Sequence, residues 1–293
     1  MISMGSVMLA AALSLAIGAV LGMLGGGGAI LTLPMLVYVL DVEPRAAIAM
    51  SLVVVGITGA ASSIPHARAG NVQWKVGLLF GAAAMAGAFG GGRLARFVPA
   101  QLLLLFFAAI MLATAVAMLR RRDANDAERA PSVHLGMGRT LVLGVFVGAI
   151  SGLVGAGGGF MIVPALVLAG GLSMRHAIGT SLFVIALQSF AGFLGHAAHV
   201  TLDLELLAVV SGAAVIGSLA GAAIGKKVRT EHLRQGFAWL ILAMGVFIVG
   251  KQTTITITAI VAVLTLAIAY VALRARRSLQ ENRSCTTSHP SLR

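Results

Sequence analysis

Long apolar runs alternate with short polar or basic segments along the whole chain. A helix needs about 20 apolar residues to cross roughly 30 Å of hydrocarbon. Six runs have about this length and carry few or no charges: 5–24, 46–64, 76–92, 102–119, 203–224 and 236–250. A large soluble protein could bury one such helix, but so many together indicate a bilayer. The pattern predicts an all-α, polytopic membrane protein.

Composition supports this prediction. Hydrophobic residues make up 59% of the 293 positions and charged residues 10%, with a mean hydropathy of +1.00. A soluble protein of this size needs a larger polar shell. The first stretch, Met1 to Gly22, lacks the basic start of a signal peptide and belongs to the predicted fold. Cys285 is the only cysteine and lies in the polar tail, so no disulfide or thiol chemistry is expected.

The net charge of +12 could suggest nucleic-acid binding. However, the Lys and Arg residues lie in loops between the predicted spans and in the last 20 residues, where they set the orientation of a membrane protein. We therefore expect the lipid bilayer, and no nucleic acid, as a partner. The basic linker and tail are expected on the cytoplasmic side of a bacterial inner membrane.

The two halves of the chain are copies of one unit. When residues 18–119 are laid over 148–249, a constant offset of 130, 29 of the 102 positions are identical without a gap. Apolar residues alone could match by composition, but paired Pro, Arg, Ser and His residues could not easily do so. The sequence predicts five regions: a first repeat (1–119), a polar linker (120–138), a second repeat (139–250), an additional transmembrane helix (251–273) and a basic disordered tail (274–293).

Each repeat opens with a long apolar stretch that glycines interrupt, at 25–28 and at 155–159. The stretch either crosses once as a broken helix or folds back as a hairpin. The 21 Lys and Arg residues split 13 to 8 across the membrane in the first arrangement and 17 to 4 in the second, which the positive-inside rule favours. A hairpin plus three spans makes an odd number of crossings. The two repeats are then inverted, as in many secondary transporters.

The glycine breaks are the first candidates for ligand binding. Consecutive glycines let backbone N–H groups converge, and the short helices predicted after them would point their positive N-terminal ends at the break. This arrangement favours a small anion, although close helix packing would also explain the glycines. The candidate residues are Gly25, Gly27, Gly28, Gly155, Gly157 and Gly158.

Polar residues after each break could complete the site. Ser51, Ser181, Thr180 and Gln188 could donate hydrogen bonds to an anion, or each serine could simply bond back to its own helix carbonyl. Arg45 and Arg175 each precede a span by a turn. They could attract the anion, or snorkel to the interface. Arg45 could also pair with a nearby acid.

His66 and His196 end equivalent spans and are candidates for proton coupling. His199 lies one turn beyond His196, but no third ligand is evident and no metal is expected. No Asp or Glu lies deep in a predicted span, and no catalytic set has the spacing that enzymes use. We expect no cofactor and no enzymatic activity. A scaffold protein would not need glycine breaks in both halves.

Two motif blocks resemble the sulfite exporter TauE/SafE family. The first comprises Leu21 to Gly28, Pro34 and Arg45 to Leu52. The second comprises Gly152 to Pro164 and Arg175 to Leu182, with Met50 of the first block in the place of Thr180. The resemblance covers roughly residues 5–250. It implies a secondary transporter, generally an exporter, of sulfite or organosulfonate-type anions bound between the repeats. A channel-like anion uniporter or a carrier of another small organic anion is the alternative, and a homo-oligomer is left open.

Overall fold

The computed structural model describes residues 4–24, 27–120, 137–155, 158–168, 171–197, 200–225 and 230–252, and it contains no strand in these ranges. Ten helices lie within them: α1 (Met4–Leu24), α2 (Gly27–Tyr38), α3 (Pro44–Arg68), α4 (Trp74–Ala95), α5 (Ala100–Arg120), α6 (Met137–Val154), α7 (Gly159–Leu168), α8 (Met174–His196), α9 (Leu204–Gly225) and α10 (Thr230–Gln252). Most of the predicted linker, nearly all of the predicted additional helix and the whole tail lie outside the described residues.

Five of these helices are long and apolar enough to cross a membrane: Val7–Leu24, Pro44–Arg68, Trp74–Ala95, Arg175–His196 and Leu204–Gly225. Large apolar side chains lie on the outside, such as Met8, Val142 and Leu204, each about 70% exposed. Hydroxyl and amide side chains lie inside, including Ser51, Thr180 and Gln188. This distribution suits a bilayer, where the surrounding solvent is apolar, and the chain is a multi-pass membrane protein.

The first glycine-broken stretch folds back on itself. Ser14 on α1 and Met35 on α2 are 21 residues apart, yet Ser14 Oγ lies 3.8 Å from Met35 Sδ. A continuous helix would separate them by about 30 Å. The returning helix α2 has 12 residues and its counterpart α7 has 10, so they are only about 18 Å and 15 Å long. Neither spans the hydrocarbon alone, because that requires about 30 Å.

Two helix pairs, α1 with α9 and α4 with α6, pack with their backbones in close contact. A Cβ atom on Gly18 or Gly22 would overlap the carbonyl of Ala214 or Ser218. The same contacts recur 130 residues away: Gly148 and Gly152 face Ala84 and Ala88, and Gly217 and Gly221 match Gly87 and Gly91. The first helix of each sequence copy thus packs in parallel on the fourth helix of the other, with glycines on both surfaces. Small residues allow such close approach in membranes.

Helices α3 and α8 form a central pair that crosses from one sequence copy to the other. A Cβ on Gly59 would lie 3.1 Å from the Leu182 carbonyl oxygen, whereas the earlier Gly56 faces Phe190. Contacts move backward along α3 as they move forward along α8, so the two helices run antiparallel. They are equivalent in sequence, and opposite directions are what an inverted repeat requires. The orientation across the membrane stays a prediction.

The close contact on α9 can be tested with two alanine substitutions. Gly221 lies against the Ala19 carbonyl, whereas Gly212 on the same helix has nothing within 4 Å of its would-be Cβ. We expect Gly221→Ala to destabilise the fold by about 1–3 kcal/mol, because backbone must move to make room. Gly212→Ala should be neutral or stabilising by up to about 1 kcal/mol, because alanine favours helix. Thermal unfolding in detergent measures both, and equal Tm values would contradict the packing.

An inverted repeat makes a topological prediction. Arg45 and Arg175 are equivalent in sequence and exposed in the first turns of α3 and α8. In a Cys285→Ser background, Arg45→Cys and Arg175→Cys should react with a membrane-impermeant maleimide from opposite faces of the membrane. Right-side-out and inverted vesicles distinguish the faces. Labelling of both positions from the same face would exclude the inversion.

Candidate functional site

The second glycine break is a sharp turn between α6 and α7. Gly155 and Gly158 have φ of 77° and 63°, a left-handed conformation that glycine adopts without steric cost. The Gly155 amide still donates to the Ser151 carbonyl, 2.9 Å away, and the Gly158 carbonyl accepts from the amides of Met161 and Ile162. The amides at the very start of α7 have no partner within that helix. The turn therefore presents a positive helix end inside the protein.

Two polar side chains border this turn. Gln188 on α8 donates from Nε2 to Ser151 Oγ on α6 over 3.2 Å. A Cβ on Gly158 would lie 2.5 Å from Gln188 Nε2 and 2.7 Å from Ser151 Oγ. Gln188 is 0% exposed and Ser151 is 2% exposed, so the group lies in the interior. Ser151, Gly158 and Gln188 form a buried polar cluster at the break.

The sequence did not predict Ser151. Its equivalent in the first copy is Leu21, so pairing the two copies drew no attention to it. The available signal was its position one helical turn before Gly155, which places a hydroxyl directly ahead of the break. The cluster is also asymmetric, because the equivalent of Gln188 is Thr58, whose hydroxyl donates to the carbonyl of Val54.

Ser51 joins the first half of the chain to this break. Its hydroxyl donates to the carbonyl of Ile48 at 2.8 Å, one turn earlier in α3, and also contacts the carbonyl oxygen of Gly155. Gly155 packs on Ile48 so closely that its Cβ would lie within 2.9 Å of the Ile48 Cα. Ser181 makes the equivalent back-bond to the carbonyl of Ile178, also at 2.8 Å. Both serines therefore bond to their own helix, and Ser51 in addition holds the opposite half.

Thr180 lies against α4. Its Oγ1 accepts a hydrogen bond from the Gln73 amide at 2.9 Å, and its methyl group faces Gly77. The neighbouring Gly179 packs against the Asn71 carbonyl, whose oxygen would lie 2.6 Å from a Cβ at this position. The loop between α3 and α4 is thus fixed to the start of α8. The equivalent of Thr180 in the first copy is Met50, which has no hydroxyl.

The two arginines lie apart from the buried cluster. Arg45 and Arg175 are exposed at the starts of α3 and α8. The Glu43 carboxylate accepts from the Ala46 amide at 2.9 Å and so caps α3. Every acidic side chain whose burial is described, which means Asp41, Glu43, Asp203 and Glu205, is exposed. No described carboxylate therefore opposes an anion in the interior.

Both histidines are buried at the ends of their helices. His66 is 9% exposed and His196 is 8% exposed. His196 Nε2 lies 2.8 Å from the Gly152 carbonyl oxygen. This nitrogen must carry the hydrogen, because a carbonyl only accepts. His196 thus contacts α6 one turn before the break.

Some of the predicted site residues lie outside the described part of the chain, and two others begin a helix. Gly25, Gly157 and His199 lie outside the described residues, whereas Gly27 and Gly28 begin α2. Within the described part of the chain, no three His, Cys, Asp or Glu residues are placed to hold a metal ion. The structure thus brings Ser51, Gly155, Gly158 and Gln188 together and leaves Thr180 and the arginines outside this group.

Comparison with known proteins decides the family. The model of the protein family described as "Sulfite exporter TauE/SafE" matches residues 10–248, which is most of the chain. The chain belongs to this family. A probable membrane transporter protein of Xylella fastidiosa (strain 9a5c) is 33% identical over 244 residues, covering 80% of this chain and 92% of the relative. The probable membrane transporter protein YdhB of Bacillus subtilis (strain 168) is 31% identical over 217 residues, covering 72% and 85%.

A relative of lower identity is matched over nearly its whole length. A probable membrane transporter protein of Methanocaldococcus jannaschii is 26% identical over 253 residues, which is 79% of this chain and 92% of the relative. No solved structure gives a significant match to the chain. The TauE/SafE match and the names of these relatives support a membrane transporter.

The close contacts around Gly158 can be tested separately from the strain of its backbone conformation. Gly158 and Gly70 both have positive φ, but nothing lies within 4 Å of the Cβ position of Gly70. Alanine in this conformation costs about 1–2 kcal/mol at either site. At Gly158 the new methyl group must also displace Gln188 and Ser151, so we expect Gly158→Ala to lower Tm clearly more than Gly70→Ala. Equal shifts in detergent would contradict the cluster.

Proposed function

We propose that this protein is a secondary transporter of small anions, with sulfite or organosulfonate-type anions as substrates and export as the direction. The observation that carries the proposal is the buried polar cluster at the start of α7, in a member of the TauE/SafE family. Hydroxyl and amide groups together with a positive helix end favour an anion. The described carboxylates are exposed, so none of them would repel an anion in the interior. This also favours a negatively charged substrate.

The position of the cluster suits alternating access. The contact of Ser51 with the Gly155 carbonyl crosses from the first sequence copy to the second, so the site lies between the two halves. Transporters with inverted repeats bind their substrates at such an interface, often beside broken helices. The antiparallel packing of α3 and α8 supports this plan. Movement of the helices around the break relative to one another would change its environment, and with it the access to the anion.

The anion would contact the amides at the start of α7, with Gln188 and Ser151 beside them. Ser51 and Ser181 would shape the site from the starts of their helices, and Arg45 and Arg175 would attract anions at the surface. His66 and His196 are the proposed groups for proton coupling, because histidine titrates near neutral pH. We place the protein in the bacterial inner membrane, with its linker and tail in the cytoplasm. We propose no enzymatic activity and no resident cofactor or metal ion.

Anion flux in proteoliposomes tests the proposal. The panel comprises sulfite, sulfoacetate, thiosulfate, sulfate and small carboxylates. We expect Gly158→Leu to abolish flux, because the side chain would fill the space beside Gln188. Loss of a hydrogen bond to a charged group costs about 1.5–3 kcal/mol, so Gln188→Ala should weaken apparent affinity about 10- to 100-fold.

A serine on the same helix as Ser51 provides the matched control. Ser63 also bonds back to its own helix, to the Ala60 carbonyl, but lies about 18 Å further along α3 than Ser51. Ser51→Ala should reduce flux and Ser63→Ala should not. Full flux in a stably folded Gly158→Leu protein would reject the site. Loss of the pH-gradient effect in His196→Gln would support proton coupling, whereas voltage-driven flux without any pH-gradient effect in the parent protein would identify a channel-like uniporter.

A further inference from the structure

An open apolar groove runs along the outer face of α5. Its volume is about 510 Å³. Leu102, Phe106 and Ala109 lie along it at helical spacing, with Val98 just before the helix and Leu153 of α6 on the other side. Leu102 is 54% exposed and Phe106 is 44% exposed. The groove therefore offers a long apolar surface that the described helices leave uncovered.

The described chain ends beside this groove. Helix α10 packs antiparallel on α5, because Gly245 contacts Leu112 and the carbonyl oxygen of Gln252 accepts from Gln101 Nε2 over 3.4 Å. Gln252 is the last described residue, and Gln101 is the neighbour of Leu102. The chain after Gln252 therefore leaves α10 at the end of the groove that Val98 and Leu102 line.

The sequence that follows has the right chemistry to cover the groove. Residues 255–273 contain no charged residue and are mainly Ile, Val, Leu, Ala and Thr. As a helix, these 19 residues would be about 28 Å long, and from Leu102 to Ala109 the groove needs only about 10 Å of that length. Residues 253 and 254 remain for the turn after α10, which is within the length of loops that join antiparallel helices.

Several residues of this groove are not repeated at the equivalent positions of the second sequence copy. At the offset of 130, Leu102 and Leu105 correspond to His232 and Gln235, and Ala109 corresponds to Trp239. Two leucines of the groove are thus replaced by polar residues on α10, Phe106 by Gly236 and Ala109 by the larger Trp239. The apolar segment 255–273 has no counterpart in the first copy.

We propose that residues 255–273 pack into the groove of α5 within the same chain, parallel to α5. The segment would cover Leu153, which lies two residues before Gly155, and would so form the outer wall of α6 beside the glycine break. The inference does not depend on the identity of the transported anion. Lipid acyl chains and a second copy of this chain are the competing occupants.

Disulfide cross-linking in full-length protein tests this placement. In a Cys285→Ser background, Leu102→Cys or Ala109→Cys is combined with single cysteines scanned over 255–266, in membranes with a mild oxidant. A disulfide requires Cα atoms about 4.4–6.8 Å apart. We expect cross-links within one chain at a few scanned positions. The positions that react with residue 109 should lie about seven residues later than those that react with residue 102, because parallel helices rise equally per residue.

The control cysteine replaces Leu78 on α4, which is 56% exposed and lies outside the groove. It should give no cross-link with any scanned position. Phe106→Cys provides a second anchor, with reactive positions about four residues after those of residue 102, if a variant at 102 or 109 folds poorly. Products of doubled mass would show a second copy in the groove, and the absence of any product at all three anchors would show lipid. Either result overturns the proposal.

Discussion

Close backbone contact between glycine-lined helices holds the two halves of this protein together. Helices α1 and α9, and equally α4 and α6, approach until a single Cβ atom would overlap a carbonyl of the partner. In a bilayer, lipid tails are as apolar as leucine, so close packing replaces hydrophobic burial as the force that joins helices. Each of these pairs takes one helix from each sequence copy. The two halves are therefore interlocked.

This interlocking places the second glycine break where the two halves meet. Helix α6 is fixed against α4 by Gly148 and Gly152, and the break begins one turn after Gly152. His196 and Ser51 then contact the backbone of the same turn region from α8 and α3. A helix start, a buried amide and two hydroxyl groups are thereby brought to one place. None of these groups is a carboxylate, which is the physical basis for proposing an anion.

The polar groups around the break do not follow the sequence symmetry. Ser151 and Gln188 have Leu21 and Thr58 as equivalents, and Thr180, which lies outside this group, has Met50. Thr180 also fixes the loop before α4 to α8 through the Gln73 amide. The duplicated backbone therefore carries two different sets of side chains. Such asymmetry gives the second half most of the groups that could contact a ligand and makes the first half its support.

Local sequence was enough to establish the membrane class, the helical fold, the duplication and the glycine breaks. Apolar run length and a constant offset of 130 are properties of local sequence, and the matching motif blocks pointed to the family. The back-bonds of Ser51 and Ser181 were also foreseen as one of two interpretations. The packing of the helices was needed to show that Thr180 faces α4, that Ser151 lies beside Gly158 and that α3 packs antiparallel on α8. These contacts join residues of different helices, and the direction in which a side chain points around its helix depends on which neighbour packs there. Helical periodicity cannot supply that information in spans that are apolar on every face.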